Sequence, residues 1–302
     1  MTLAGSDILS ASSFSRKVLD FIHNETDKLC NLDHKKRQEL LKGKLVALLF
    51  FEPSTRTRAS FTVAAKTLGA ATVGFSSGTS TSETKGESLH DTIKMFEGYG
   101  SDVIVMRHPR DGAAQLAADV ASIPVINAGD GKNQHPTQSM MDTYAIRKRH
   151  NTIDGLSVLL VGDLKYGRAA HSLIQALYCY DCTIHVASPE SLRMPPIFLK
   201  KQVHEHTDLE EAIKAANPDV IYMTRVQKER FPDINEYAKV KGSYVLNRKL
   251  LAKIKPTLQI LHPLPRVDEI DTRIDALPYA GYFIQAADGM PVRQAILNAV
   301  IA

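Results

Sequence analysis

Three cysteines among 302 residues are too few for a disulfide framework. Cys179-Tyr-Asp-Cys182 has the spacing of redox and zinc motifs, but no second pair accompanies it. Cys30, Cys179 and Cys182 are expected to be buried, unreactive thiols that pack as small hydrophobes. Long apolar runs are also missing: none approaches the roughly 20 residues of a membrane span. Met1 to Ser10 holds no basic segment followed by an apolar core, so no signal peptide is expected and the reading is cytoplasmic. Charge of one sign is nearly balanced, with 37 Lys and Arg against 33 Asp and Glu. A net charge of +4 excludes the extended basic face that nucleic-acid binding needs. It does suit small anionic substrates if the arginines gather in a cleft. The eleven histidines include no His-Glu-x-x-His and no other metal-ligand spacing.

With 44% hydrophobic and 23% charged residues, the chain has the composition of a globular protein large enough for two cores. Strand-like apolar runs fall at 45–50, 71–75, 102–106, 124–127, 157–161, 182–187, 220–223 and 258–261. Helical patterns lie between most of them, such as 87–98 and 136–149. This alternation predicts an α/β fold of two doubly wound parallel-sheet domains, with the active site in the cleft between them. The boundary is expected near residue 150, where Arg147-Lys148-Arg149-His150 suits a helix C-terminus and a short polar break follows. The first domain is then 1–150 and the second 151–285, with an amphipathic segment at about 286–302 returning to the first.

Residues 50–58, Phe-Phe-Glu-Pro-Ser-Thr-Arg-Thr-Arg, carry the strongest chemical signal. They join the run Leu45–Phe50 to a helical face of Phe61, Ala64, Ala65 and Leu68. Pro53 suits the first turn of that helix. Ser54, Thr55 and Thr57 would set hydroxyls beside unpaired backbone N–H groups, with Arg56 and Arg58 adding charge. Such a helix start is a phosphate site. Four further clusters follow strand-like runs: Met106-Arg107-His108, Asn133-Gln134-His135-Pro136-Thr137-Gln138, Thr224-Arg225-Val226-Gln227 and Leu261-His262-Pro263-Leu264-Pro265-Arg266. Each offers donors to an anion or a carbonyl oxygen, and none contains an obvious nucleophile. Gly162-x4-Gly167-Arg168-Ala169 resembles a phosphate-binding nucleotide loop, yet lacks its lysine and its Mg²⁺-binding hydroxyl.

Together these motifs closely resemble the aspartate carbamoyltransferase family over essentially the whole chain. Ser54-Thr55-Arg56-Thr57-Arg58 is similar to the motif shared by carbamoyltransferases, and His135-Pro136-Thr137-Gln138 and His262-Pro263-Leu264-Pro265 also match. Arg225-Val226-Gln227 resembles the aspartate-specific loop that ornithine enzymes lack. The resemblance implies transfer of a carbamoyl group from carbamoyl phosphate to L-aspartate in pyrimidine biosynthesis, with no metal or cofactor. It implies phosphate on Ser54, Thr55, Arg56, Thr57 and Arg107, and a carbonyl oxygen facing Thr57, Arg107 and His135. Gln138 and the backbone carbonyls of Pro263 and Leu264 would hold the carbamoyl amide. Arg168 and Lys85 would take the α-carboxylate of aspartate, and Arg225, Gln227 and Lys85 its side chain.

Family membership also implies a homotrimer in which a serine and a lysine of one subunit enter the neighbour's site. Lys85 matches that lysine, and Ser82 is taken for the serine among Ser80, Thr81 and Ser82. Glu52 would pair with Arg168 and Arg230 when the domains close. A separate regulatory chain is compatible with the resemblance, whereas nucleic acid and membrane are not expected partners. Two alternatives stand beside this reading. An ornithine-type enzyme would need an acidic pocket for its amine, and a catalytically silent homologue would have lost Arg56, Thr57, Arg107 or His135.

Overall fold

A computed structural model describes residues 1–77, 86–228, 231, 233–252 and 254–301 of the chain. In order, its helices and strands are α1 Arg16–Asn31, α2 His34–Glu39, β1 Leu45–Phe50, α3 Thr55–Thr67, β2 Ala71–Phe75, α4 Leu89–Gly98, β3 Val103–His108, α5 Ala113–Val120, β4 Val125–Asp130 and α6 Pro136–His150. They continue as β5 Ser157–Val161, α7 Arg168–Leu177, β6 Thr183–Ala187, β7 His204–His206, α8 Leu209–Ala216, β8 Val220–Met223, α9 Ile234–Val240, β9 Gln259–Leu261 and α10 Tyr282–Ile301. No described helix is long and apolar enough to cross a membrane.

Two compact units share these elements: Met1–Met141 with Asp288–Ala302, and Asp142–Ala287. The division therefore falls inside helices α6 and α10. The first unit holds a four-stranded sheet in the order β2-β1-β3-β4, and the second a five-stranded sheet in the order β7-β6-β5-β8-β9. Every ladder in both sheets is parallel. Strands covered on both faces read as unbroken apolar runs, as Val46–Phe50 and Val158–Val161 do, and all of these residues are buried. On α3 the residues Phe61, Ala64 and Ala65 lie buried against the first sheet, and Leu68 follows them inward. Late in α10, Arg293 lies over the Phe61 ring at 5.3 Å, within the same unit.

Each unit closes the amino-terminal end of its sheet with the same device. Asp102, one residue before β3, accepts the Leu45 N–H at 2.8 Å and the Lys44 ammonium at 3.0 Å. Asp219, one residue before β8, accepts the Ser157 N–H at 2.9 Å and the Lys255 ammonium at 2.8 Å. The backbone returns each contact, since Asp102 N–H donates to Leu45 O and Asp219 N–H to Ser157 O, both at 2.8 Å. Both aspartates thus start the central strand pair in register. No sequence repeat announces the match.

Several local expectations change. Pro53 lies outside α3, because the helix begins at Thr55 with Ser54 as an extended N-cap. Arg107 belongs to β3 rather than to the loop after it. Strand β7 goes undetected in the sequence, since His204-Glu205-His206 has no apolar residue and only β6 beside it. Cys30 is exposed, on a helix face turned to solvent, and Cys179 and Cys182 are half-buried. Burial pushes the Cys182 thiol up to about 12, away from the thiolate form.

Candidate active site

Open parallel sheets expose a crevice where the strand order reverses, at the carboxyl ends of the two strands that part there. In the first unit that point lies between β1 and β3, and in the second between β5 and β8. Of the residues singled out in the sequence, Ser54, Thr55, Arg56, Thr57 and Arg107 lie at the first of these places and Arg168, Arg225 and Gln227 at the second.

Strand β1 delivers Phe51 and Glu52, and β3 delivers Arg107, beside which Phe50 is registered. Phe51 N–H donates to Arg107 O at 2.8 Å, extending the ladder past the end of β1. Arg107 then reaches Glu52 with an N–O distance of 2.6 Å, both side chains being largely buried. Ser54 caps α3 in an extended conformation, and its side chain makes no capping hydrogen bond. Thr55, Arg56 and Thr57 form the first turn, where backbone N–H groups lack helical acceptors. Thr57 is buried. The result is a helix start with its N–H groups, hydroxyls and an arginine on the same turn, next to a second arginine on β3. Anions are favoured at such a point by both the N–H groups and the helix dipole.

The loop after β4 is held by one carboxylate. Asp130 accepts from Asn127 Nδ2 and the Gln134 N–H at 2.9 and 3.1 Å, and from Gly112 N–H and Asn133 Nδ2 at 2.8 and 2.9 Å. This loop delivers His135 to the start of α6 and Gln138 to its first turn, both buried. The Thr137 hydroxyl approaches His135 Nδ1 at 3.5 Å.

In the second unit, β5 runs into Gly162 and Asp163, and β8 into Thr224, Arg225 and Gln227. Gly162 has φ +113°, and a Cβ there would sit 2.2 Å from Thr224 O. Only glycine allows the two strand ends to touch this closely. Gly167 is needed for a similar reason, because its Cβ would meet Asp163 O at 2.4 Å. Asp163 is fully buried and joins the two loops. Its carboxylate accepts the Tyr166 N–H at 3.0 Å and the Gln227 N–H at 3.2 Å. Burial raises its carboxyl above the ordinary range, and those N–H groups work against the rise. Gln227 also donates its side-chain amide to Tyr166 O at 3.1 Å. Arg168 opens α7 and is buried, while Arg225 is partly exposed.

The turn after β9 completes the second unit's cluster. His262 Nδ1 accepts the Leu264 N–H at 2.8 Å, so the ring's proton is on Nε2, which meets Glu269 Oε1 at 2.6 Å. Burial pulls the imidazole below its ordinary value and keeps it neutral. Burial works upward on the Glu269 carboxyl, but the His262 hydrogen bond and the Val267 N–H outweigh it and keep the group ionised. Leu264 has φ +56°, a left-handed conformation that costs a branched side chain about 1–2 kcal/mol. Strain of this kind persists where surrounding contacts over-determine it.

Lys85, Ser82 and Arg230 lie outside the described residues. The contributions of Asp163, Asp130 and Glu269 escape a reading by motif. Of these, Asp163 carries a signal, a carboxylate directly after a strand and a glycine.

Residues 6–148 match the family described as aspartate/ornithine carbamoyltransferase, carbamoyl-P binding domain, and residues 154–300 match its Asp/Orn binding domain. The chain belongs to the aspartate/ornithine carbamoyltransferase family. Among curated members, the aspartate carbamoyltransferase catalytic subunit of Thermococcus gammatolerans is 52% identical over 301 residues, 97% of each chain. That of Bacteroides fragilis is 53% identical over 271 residues, 87% of each chain. Among solved carbamoyltransferases, the catalytic subunit of M. jannaschii aspartate transcarbamoylase superposes with TM-score 0.86 at 44% identity, covering 98% of this chain and 97% of that one. The Trypanosoma cruzi aspartate transcarbamoylase bound to carbamoyl aspartate and phosphate gives TM-score 0.91 at 38% identity, covering 99% and 97%.

Proposed function

We propose that this chain is a carbamoyltransferase that acts on L-aspartate, using carbamoyl phosphate and releasing N-carbamoyl-L-aspartate and phosphate. One observation carries the choice of amine. Arg168 and the pair Arg225 and Gln227 rise from the two strands that part at the second unit's switch point, with Asp163 tying their loops together. Guanidinium groups following these two strand ends suit a dicarboxylate and repel the ammonium of an ornithine side chain. The names of the curated relatives agree with this substrate.

In the reaction the neutral aspartate amine attacks the carbamoyl carbon and forms the C–N bond. The bond from that carbon to the phosphate oxygen breaks, and phosphate leaves with its electron pair. We assign phosphate to Ser54, Thr55, Arg56, Thr57 and Arg107. Its arrival would compete with Glu52 for Arg107, the pair seen at 2.6 Å. Charge building on the carbonyl oxygen falls to Thr57, Arg107 and His135, donors arranged before the reaction starts. Removal of one such donor typically slows turnover by about 10²–10³. Gln138 and the carbonyls of Pro263 and Leu264 are assigned to the carbamoyl amide. Lys85 is assigned to both aspartate carboxylates, beside Arg168 at one and Arg225 and Gln227 at the other. No dedicated base stands out among the described residues of either cluster, and the departing phosphate is expected to take the amine proton.

We further infer a cytoplasmic homotrimer working in pyrimidine biosynthesis, with Lys85 and Ser82 serving a neighbouring subunit and Arg230 a closing contact. The deciding assay is ureido product formation by the purified chain with carbamoyl phosphate and either L-aspartate or L-ornithine. Turnover with aspartate alone is expected. Turnover with ornithine alone would overturn the amine assignment, and none with either would overturn the transferase reading.

A further inference from the structure

A buried polar chain runs through the second unit to the turn after β9. The Tyr222 hydroxyl donates to Asp142 Oδ2 at 2.8 Å, and Gln285 Nε2 donates to Asp142 Oδ1 at 2.6 Å. Gln285 Oε1 accepts the His262 N–H at 2.9 Å. His262 holds the Leu264 N–H through Nδ1 and Glu269 through Nε2. Glu269 Oε2 then accepts the N–H groups of Val267 and Asp268, both at 3.1 Å. Tyr222, Asp142, Gln285, His262 and Glu269 are all at least nine-tenths buried.

We propose that Glu269 and His262, anchored through Gln285 on Asp142 and Tyr222, are positioning residues that hold Leu264 left-handed and thereby aim the Pro263 and Leu264 carbonyls. The proposal rests on the carbamoyl-transfer reading only for what those carbonyls receive.

Donor and acceptor roles leave this relay a single consistent state. Leu264 N–H can only donate, so Nδ1 must be bare. The ring's one proton is then on Nε2, and its partner must accept. Glu269 supplies that acceptor, and its other oxygen receives two N–H donors from the far end of the same turn. Both ends of the turn are thus tied to one carboxylate. Protonating His262 would place an N–H against the Leu264 N–H, and removing the Glu269 charge would leave one donor facing another. The His262 ring is consumed by the two bonds that shape the backbone.

Glu269→Gln is the direct test, because the amide matches the carboxylate in size but replaces one acceptor with a donor. Either it faces Val267 and Asp268 with its NH₂, or it faces His262 and drives the ring to the Nδ1–H tautomer. In both arrangements the Leu264 turn loosens. The expected result is a fall in kcat of about tenfold or more, with a raised KM for carbamoyl phosphate and unchanged binding of inorganic phosphate alone. A second pair of variants guards against misfolding. His262→Asn keeps an acceptor near the Nδ1 position and should retain more activity than His262→Leu, which keeps none.

Two readouts independent of turnover accompany these variants. Nitrogen NMR of His262 should report Nε2–H in the unmodified protein, and the Leu264 amide should exchange slowly there and quickly in Glu269→Gln and His262→Leu. An Nδ1–H imidazole in the unmodified protein would overturn the relay. So would kcat and KM within twofold of the unmodified enzyme in Glu269→Gln, or equal activity of His262→Asn and His262→Leu. If the unmodified chain carbamoylates no amine, the function reading fails by itself, while the tautomer and exchange measurements still decide the relay.

Discussion

Replacing Asp163 by asparagine should weaken aspartate binding without replacing any residue assigned to the substrate. The carboxylate is fully buried and divides its oxygens between Tyr166 N–H at 3.0 Å and Gln227 N–H at 3.2 Å. An asparagine keeps one acceptor, which stays on the shorter bond to Tyr166. Its NH₂ then confronts the Gln227 N–H, and the loop carrying Arg225 and Gln227 loses its tie to the loop carrying Arg168. A buried donor left without an acceptor costs about 1–3 kcal/mol. If half of that cost appears at the substrate, aspartate affinity falls about 2- to 12-fold, since 1.4 kcal/mol is a factor of ten. If all of it appears there, the loss is about 5- to 140-fold. Steady-state kinetics at saturating carbamoyl phosphate would measure it as a raised KM for aspartate, with phosphate binding by the first unit as the control. An aspartate KM within twofold of the unmodified enzyme, at normal kcat, would refute the argument that Asp163 sets the spacing of these loops.

Other consequences are equally open to measurement. Burial, with the charges of His204 and His206 beside it, pulls the His185 imidazole from 6.5 down to about 4. The unfolded chain takes up this proton from about pH 6.5 downward and the folded chain only near 4, so stability is complete above that window and declines through it. The urea midpoint should fall from pH 6.5 to 5, and His185→Gln should make that slope shallower; an identical slope would count against it. Gly162→Ala forces a Cβ to 2.2 Å from Thr224 O at φ +113°, and should lower unfolding free energy by at least ~2 kcal/mol in a denaturant titration. For the proposed shared sites, mixing Lys85→Ala and Arg56→Ala proteins should restore part of the activity. No recovery after demonstrated subunit exchange would exclude a lysine donated by the neighbour.

Much of this could be read from residue order, for identifiable reasons. Strands such as Val158–Val161 are apolar throughout because both faces are covered, and their carboxyl ends in a parallel fold are where ligand-binding residues collect. That marks Arg56, Arg107, Arg168 and Arg225 as candidate ligand-binding residues. The supports are not so marked. Asp142 and Gln285 lie 143 residues apart, and no spacing rule reaches over that separation. Leu264 gives no hint in sequence that it would be left-handed, because its conformation is imposed by His262 and Glu269 rather than by its own side chain. Strand β7 is a polar edge whose pairing comes entirely from β6, so periodicity misses it. Cys30 was misplaced because a small thiol says little about which face of a helix it occupies.

The paired aspartates at the opposite ends of these sheets have a consequence for how the protein can change. Asp102 and Asp219 start their strand pairs at the amino-terminal ends, while Arg107 ends β3 and Arg56, Arg168, Arg225 and His135 follow carboxyl-terminal ends. Liabilities of two kinds are thereby kept apart along the same strands. A library meant to recruit a different amine can randomise the loops after β5, β8 and β9 and leave the opposite rim untouched. Conversely, a thermostable variant can be sought around Lys44, Asp102, Asp219 and Lys255 with little risk to the chemistry.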